Sequence, residues 1–280
     1  MSQTTISFIA RASRFSPNSV GKDMAILAAV RRQLQLMGYK CADIVVEDIP
    51  RDIVEADAYV SMGRKQDTLN WLGNFEREQI PVVNCTASVM LCNMRNVQMS
   101  ILEGMDVPVP PRIGDDGYWV KRGYGSSETE QDVQYAADYE EACRKSDEMM
   151  ARGVFVTEVR AHVSGDLVKF YGVRGTDFFR CYYPGDDGDW KFPDEARNGR
   201  PHHYAYDAVR LHELMDEAAA IIHLDVYGGD CIIRPDGQPV LIDLNDWPTF
   251  SRCREEAAVA IAARVRDIIR GEKYETIMRQ

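Results

Sequence analysis

The stretch GGDCIIRPDGQPVLIDLNDWP, Gly228 to Pro248, decides how this chain is read. Two short apolar, β-branched runs, CII and VLIDL, flank RPDGQP, whose Pro, Asp and Gly are turn-forming residues, so a β-hairpin is expected. If the turn closes symmetrically about Asp236 and Gly237, Asp230 falls opposite Asp243, and Asn245, two residues further along, shares their face. Two carboxylates set against each other repel unless a cation lies between them. Asp, Asp and Asn are hard oxygen donors of the kind Mg²⁺ takes, usually alongside water and phosphate oxygens. A three-residue Pro-Asp-Gly loop with a glycine bulge would instead slip the register by one and turn Asp230 to the other face. On spacing alone, a surface hairpin with solvated acids stands level with a metal site.

Moving outward, 280 residues with 45% hydrophobic content are enough for two or three modest cores. A net charge of −11 and a pI near 5.0 argue against a nucleic-acid partner, whose phosphates demand a basic face. Any anionic ligand must be met by locally placed Lys and Arg. The seven cysteines include no Cys-x-x-Cys pair, which fits reduced thiols in a cytoplasm. The opening TTISFIA is too short for the apolar part of a signal peptide and reads as a strand. No run of about 18 apolar residues exists to cross a membrane.

The chain divides into three blocks. In the first, strands are expected at Ile6–Ala10, Cys41–Val46, Ala58–Ser61 and Ile80–Asn84, with helices at Val20–Met37 and Gln66–Glu78, which makes a small parallel sheet with helices on both faces. A helix over Val89–Leu102 follows. The three prolines of Met105–Arg112 then force an extended connection. The second block carries the strand YWVKRG, a Gly/Ser loop, a long polar helix over Glu128–Arg152 and the strand VFVTEV. The third opens with DLVKFYGV, continues through an irregular stretch, Tyr182 to Tyr206, and closes with a helix over Asp207–His223, the acidic hairpin and a helix over Glu255–Arg270. An irregular segment of that length is the mark of a lid or binding loop.

Lys121 ends a strand and is followed by Gly123, Gly125, Ser126 and Ser127, so a cation and a run of unencumbered amides face one space, as a phosphate-covering loop requires. A Gly/Ser turn beside a solvated Lys is the commoner explanation of such a pattern. Lys169 shares a strand face with Leu167 and Tyr171, where a Lys either snorkels or meets an anion. His202 and His203 lack a third ligand at metal spacing.

Taken together, a strand-borne Lys with a Gly/Ser flap, a helix and strand, and a distal Asp…Asp-x-Asn hairpin followed by Pro resemble the ATP-grasp superfamily, over about residues 93 to 250. The resemblance implies an α/β and α+β chain: a Rossmann-like domain (1–108), then a small subdomain with the Lys and flap (109–164) and a large subdomain with the hairpin and final helix (165–280). By the same resemblance Asp230, Asp243 and Asn245 hold two Mg²⁺ ions, or Mn²⁺, that bridge the phosphates of ATP. Arg95, Lys121, Gly125, Ser126 and Ser127 meet those phosphates. The main chain of Ala161 and Val163 reads the adenine edge, with Glu158 as the acidic partner if the register moves. Asp166 takes the ribose, and Lys169 and Arg180 face the transferred phosphate or its acceptor.

The activity so implied is an ADP-forming ligase that activates a small carboxylate for attack by an amine. A small-molecule kinase of the inositol polyphosphate type and a non-catalytic nucleotide-binding module are the alternatives. A cytoplasmic protein without nucleic-acid or membrane partners is expected, and a homodimer is left open. Acceptor choice is assigned to the loop Arg11–Ser19, to Arg252 and Arg254, and to the long irregular stretch.

Overall fold

A computed structural model describes residues 3–16, 19–47, 53–125, 129–187 and 197–271. The first sheet is parallel throughout. It contains β1 (Thr5–Ala10), β2 (Lys40–Val46), β3 (Ala58–Ser61) and β4 (Val82–Val83) in the order β2-β1-β3-β4. Helix α1 (Val20–Leu36) covers one face and α2 (Gln66–Arg77) the other. The period of two sorts β1 cleanly: Ile6, Phe8 and Ala10 join the α1 core, whereas Ile9 joins Tyr59, Leu72, Trp71 and Phe75.

Two short helices follow, α3 (Thr86–Cys92) and α4 (Arg95–Gly104), where the apolar pattern predicts one over Val89–Leu102. The break at Asn93 and Met94 makes Arg95 the first residue of a new helix and leaves the Asn93 carbonyl to accept from Gly125 at 2.7 Å. A second antiparallel sheet, β6-β5-β7, comes next, built from β5 (Tyr118–Arg122), β6 (Val133–Ala136) and β7 (Thr157–Ala161), with α5 (Tyr139–Ala151) packed on it. The helix expected from Glu128 starts only at Tyr139. Asp138 caps it by accepting the Glu141 amide at 2.8 Å, and the residues before it pair with β5 as a strand.

The third sheet is antiparallel, in the order β11-β10-β8-β9, from β8 (Asp166–Val173), β9 (Phe179–Tyr182), β10 (Val226–Ile233) and β11 (Pro239–Asp246). The short α6 (Pro184–Asp187) follows β9, α7 (Ala208–Ile221) backs the sheet, and α8 (Arg254–Ile269) closes the chain. Helix α8 lies against α1. Ala257, Ala258, Ile261, Ala262 and Val265 join the core that holds Ile26, Leu27 and Val30; the small side chains let the two helices approach closely. The last helix thus ties the end of the chain back to its first sheet.

The decisive hairpin reaches the expected pairing by an unexpected route. Its turn is the three-residue loop Pro235-Asp236-Gly237. The Gly237 amide donates to Arg234 O at 2.8 Å, Arg234 N donates to Gln238 O at 3.0 Å, and Gly237 takes φ +80°. Closing about Asp236 pairs Ile233 with Pro239, Ile232 with Val240 and Cys231 with Leu241, one residue away from symmetric closure. A β-bulge then leaves Ile242 unpaired and restores the slip, so that Asp230 faces Asp243 and Gly228 faces Asn245. At the bulge the β11 backbone crowds Gly229 so closely that a Cβ there would strike the Asp243 carbonyl. This requires the second glycine of the Gly228-Gly229 pair.

Candidate active site

Three sheets converge where β11 ends. Lys169 on β8 lies directly across from Asp230 on β10, and its ammonium donates to Asp230 Oδ1 at 3.0 Å. On the next strand Asp243 takes Arg95 Nε at 3.2 Å and Asn245 Nδ2 at 2.8 Å on its two oxygens. Arg95 also donates through Nη1 to the Arg122 carbonyl at 2.6 Å, which ties the acidic hairpin to the end of β5. Lys121 crosses the same gap, donating to the Ile242 carbonyl at 3.2 Å. That carbonyl belongs to the bulge residue, outside the ladder pairing.

Burial alone would raise the Asp243 carboxyl, but Arg95 and Lys121, with the hydrogen bonds from Asn245 and Arg95, outweigh it and hold the group far below the ordinary carboxylate range. Asp243 is therefore an anion at any physiological pH. With the Asn245 amide nitrogen turned to Asp243, its oxygen is left for a cation. The donors are all oxygen. Among the described residues no cluster of three or more His, Cys, Asp or Glu forms a metal cage. Such a set fits a hard divalent ion that completes its shell with phosphate and water oxygens.

Two chambers meet at these acids, and Arg95, Asp230 and Asp243 line both. The first, between the second and third sheets, is walled mainly by Met99, Trp119, Val133, Ala161, Val163, Leu167, Ile232 and Ile242. It is a mainly apolar slot that meets the acids, suited to a flat ring with an anionic tail. Ala161 and Val163, expected at an adenine edge, lie here. The Ala161 amide already donates to Pro111 O at 2.8 Å, so its carbonyl and the main chain of Val163 carry the remaining polar capacity. Glu158 also lines the slot, with Oε1 receiving Arg160 Nε at 2.5 Å. Asn198, from the long connection before α7, closes the rim. Its neighbour Arg197 lies 3.6 Å above the Tyr135 ring of the second sheet.

The second chamber, of about 290 Å³, opens against the first sheet and is strongly charged. Arg11, Arg64, Arg95 and Lys169 line it together with Asp23, Asp230, Asp243 and Asp246. Arg64 grips Asp246 through two nitrogens, one of them at 3.3 Å. Arg11 lies 3.2 Å from Asp23 and donates to the Trp247 carbonyl at 2.5 Å. Trp247 lines the chamber at φ +41°, and its indole N–H is buried with no acceptor among the described residues. A buried donor in that state costs about 1–3 kcal/mol until something accepts from it.

The structure parts from the sequence reading at several residues. Asp166, expected at the ribose, lines neither chamber. Its buried carboxylate accepts the amides of His202 at 2.7 Å and Tyr204 at 2.9 Å and so anchors the long connection. Arg180 stands opposite Tyr171 in the sheet but pairs with Glu256 at the start of α8 and lines neither chamber. Arg252 sits over the Tyr182 ring at 5.4 Å, and neither it nor Arg254 lines the second chamber. Gly125 does line that chamber; Ser126 and Ser127 lie outside the described residues. Arg64, Asp23, Asp246 and Trp247 were not singled out from the sequence. Arg11 and Arg64 nonetheless follow the C-terminal ends of parallel strands β1 and β3, the edge at which open α/β sheets bind ligands, and that position was the available signal.

No protein-family model and no curated protein matches this sequence. Solved structures do. D-alanine-D-alanine ligase from Coxiella burnetii superposes with a TM-score of 0.64 at 10% identity, over 96% of this chain and 96% of that one. A RimK domain ATP-grasp protein from Sphaerobacter thermophilus gives 0.62 at 14% identity, over 93% and 99%. This chain has the ATP-grasp fold. The ATP complex of D-alanine-D-alanine ligase from Bacillus anthracis matches equally well, at 0.62 and 13% identity over 98% and 100%. The ATP-grasp fold therefore spans nearly the whole chain, including the first parallel sheet and the final helix.

Proposed function

We propose that this chain is an ADP-forming ligase that uses Mg-ATP to activate a small carboxylate as an acyl phosphate, which an amine then attacks. One observation carries the reading: a face of Asp230, Asp243 and Asn245, ringed by Lys169, Arg95 and Lys121, stands where an apolar slot opens into a charged chamber. The base of the nucleotide lies in the slot, the phosphates pass over the acids, and the acceptor occupies the chamber.

The three oxygen donors would hold divalent cations, which neutralise phosphate charge as the γ-phosphoryl group leaves ADP. Arg95 and Lys121 bind the phosphates from the slot side. Lys169 orients the γ-phosphate toward the chamber, where the substrate carboxylate oxygen forms a bond to phosphorus as the bond to ADP breaks. Nitrogen of the second substrate then bonds to the acyl carbon and loses a proton, and inorganic phosphate departs. Arg11 faces acceptor oxygens on the first-sheet side. The rim at Asn198 and Arg197 excludes water from the slot.

A polyol kinase is less well supported. Four cations in the chamber are balanced by four carboxylates, whereas a polyphosphorylated acceptor calls for a cationic excess. The test is ADP release from Mg-ATP with amino acids, dicarboxylates and polyols, singly and in pairs. Ligation predicts release that needs a carboxylate and an amine together, with ¹⁸O passing from the labelled carboxylate into inorganic phosphate. Release with a polyol alone, or nucleotide binding with no turnover across the panel, overturns it.

A further inference from the structure

Strand β8 crosses the whole active site on one face. Its side chains alternate, so Leu167, Lys169 and Tyr171 stand on the same side. Leu167 lines the apolar slot, Lys169 meets Asp230, and Tyr171 lines the charged chamber. The neighbouring β10 repeats the order. Ile232, paired with Leu167, lines the slot; Asp230, paired with Lys169, lines both chambers; Gly228, paired with Tyr171, lines the charged one. On the ligase reading, base, transferred phosphate and acceptor follow one another along these two strands. Tyr171 then stands one step beyond the lysine on the acceptor side, about 7 Å along the strand.

The Tyr171 ring is held in place. Its centroid lies 5.7 Å from that of Tyr182 and 5.6 Å from that of Phe250. The absent side chain of Gly228 makes room for it, since a Cβ there would come within 3.0 Å of Tyr171 Cδ1. Buried tyrosines elsewhere in the chain engage their hydroxyls: Tyr118 donates to Gly114 O at 2.9 Å, Tyr59 accepts the Ala56 amide at 3.1 Å, and Tyr227 donates to Asp216. The Tyr171 hydroxyl makes no hydrogen bond to any described residue. Burial raises this phenol above its ordinary value, Asp230 and Cys253 add to the shift, and Lys169 and Arg252 oppose it. The group is therefore a neutral donor at physiological pH.

Ligation has a use for such a donor beside the point of phosphoryl transfer. As the amine nitrogen bonds to the acyl carbon, the C=O electron pair moves onto the carbonyl oxygen. It returns when the bond to phosphate breaks and inorganic phosphate leaves with its bonding pair. A fixed donor facing that oxygen stabilises the charge it gains. We propose that Tyr171 is a further catalytic residue, whose hydroxyl donates a hydrogen bond to the acyl oxygen of the activated substrate. The O–H bond stays intact, and the proton released in the reaction is the amine's own. The assignment rests on the ligase reading, but it is tested without turnover.

The experiment is calorimetric titration of the full chain, in the presence of Mg-ADP, with acetylphosphonate and with ethylphosphonate. The two probes share one skeleton and differ in the carbonyl oxygen. The wild type should bind acetylphosphonate about tenfold more tightly, a difference of about 1.4 kcal/mol. Tyr171→Phe keeps the ring and should bind the two probes alike, with its affinities for ethylphosphonate and Mg-ADP unchanged. A purely structural role for the side chain would weaken both probes together and leave the gap. Melting curves confirm that the variant is folded, and the wild-type gap is measured without it. Equal binding of both probes by the wild type, no binding of acetylphosphonate, or a gap that survives in Tyr171→Phe would overturn the proposal. Mg-ADP binding without the gap would sink the Tyr171 assignment alone. The gap in a protein that fails to bind Mg-ADP would sink the ligase reading alone.

Discussion

The two chambers share three residues and little else. The slot between the second and third sheets is walled mainly by aliphatic and aromatic side chains, with Lys121, Glu158 and Arg160 set among them. The chamber against the first sheet is walled by paired cations and carboxylates. Apolar area and main-chain groups suit a ligand that stays the same from one turnover to the next. Paired charges are costly to bury and strict about geometry, and so they suit a substrate that must be selected. The contrast teaches that an apolar pocket and a charged, selective one lie on opposite sides of one hairpin.

The largest effect expected from breaking that contrast is structural. The Asp246 side chain is wholly buried and Arg64 nearly so, so Asp246→Ala leaves a guanidinium without its counter-charge. A loss of about 3–5 kcal/mol is expected, read by urea denaturation, with nucleotide affinity measured under native conditions little changed. A loss below about 1 kcal/mol would mean the pair is not structural.

Next comes Asp243→Asn, which removes one of the two anions both chambers share. ADP release should fall on the order of 10²–10³-fold. Turnover near that of the wild type would detach the acids from the chemistry. Trp119→Leu sharpens the comparison from the slot side: nucleotide affinity should weaken about tenfold, or about 1.4 kcal/mol, while binding of the acceptor to the free enzyme stays constant. Equal weakening of both would show that the chambers are not separable.

The smallest effect is a pH dependence. Burial, aided by Arg197, pushes the His162 imidazole below its ordinary value, and Asp116 opposes this only in part. The neutral ring accepts from the Trp119 indole at 3.0 Å. Because the folded state resists protonation, the unfolded chain binds more protons, and stability should decline as pH falls from about 6.5 through the lowered folded value. His162→Gln should flatten that slope in denaturation series between pH 7 and 5. Asp243 acts in the same sense at lower pH: its depressed value gives a stabilising contribution that is full above the ordinary carboxylate range and is lost as pH falls through that range toward the folded value. An unchanged slope in His162→Gln would show that other groups govern acid stability.

Much of the molecule was legible in the sequence. Ala58–Ser61 matches its predicted strand, and α1, α2, α7 and α8 fall within two residues of expectation. Their apolar spacing carries them, and Gly38, the Asp207 cap and Gly271 mark ends of α1, α7 and α8. Strand β6 was missed because a short polar segment next to a helix has no periodicity of its own; only its ladder to β5 makes it a strand. The pairing of Asp230 with Asp243 was expected from symmetric closure, yet it arises from an offset loop and a compensating bulge. Asp166 and Arg180 looked like ligand residues because a charged side chain on a strand reads the same whether it faces a ligand or a neighbouring loop.

By itself the sequence determined the parallel first sheet, the acidic hairpin, and a strand Lys beside a glycine-rich loop, because these depend on local periodicity and turn chemistry. The tertiary structure alone decided that Lys121, Lys169 and Arg95 close on one carboxylate pair, and that Arg11, Arg64 and Trp247 wall a second chamber. Those residues lie up to 236 positions apart, and what brings them together is the burial of α8 against α1 and the convergence of three sheets. No window of sequence contains that information.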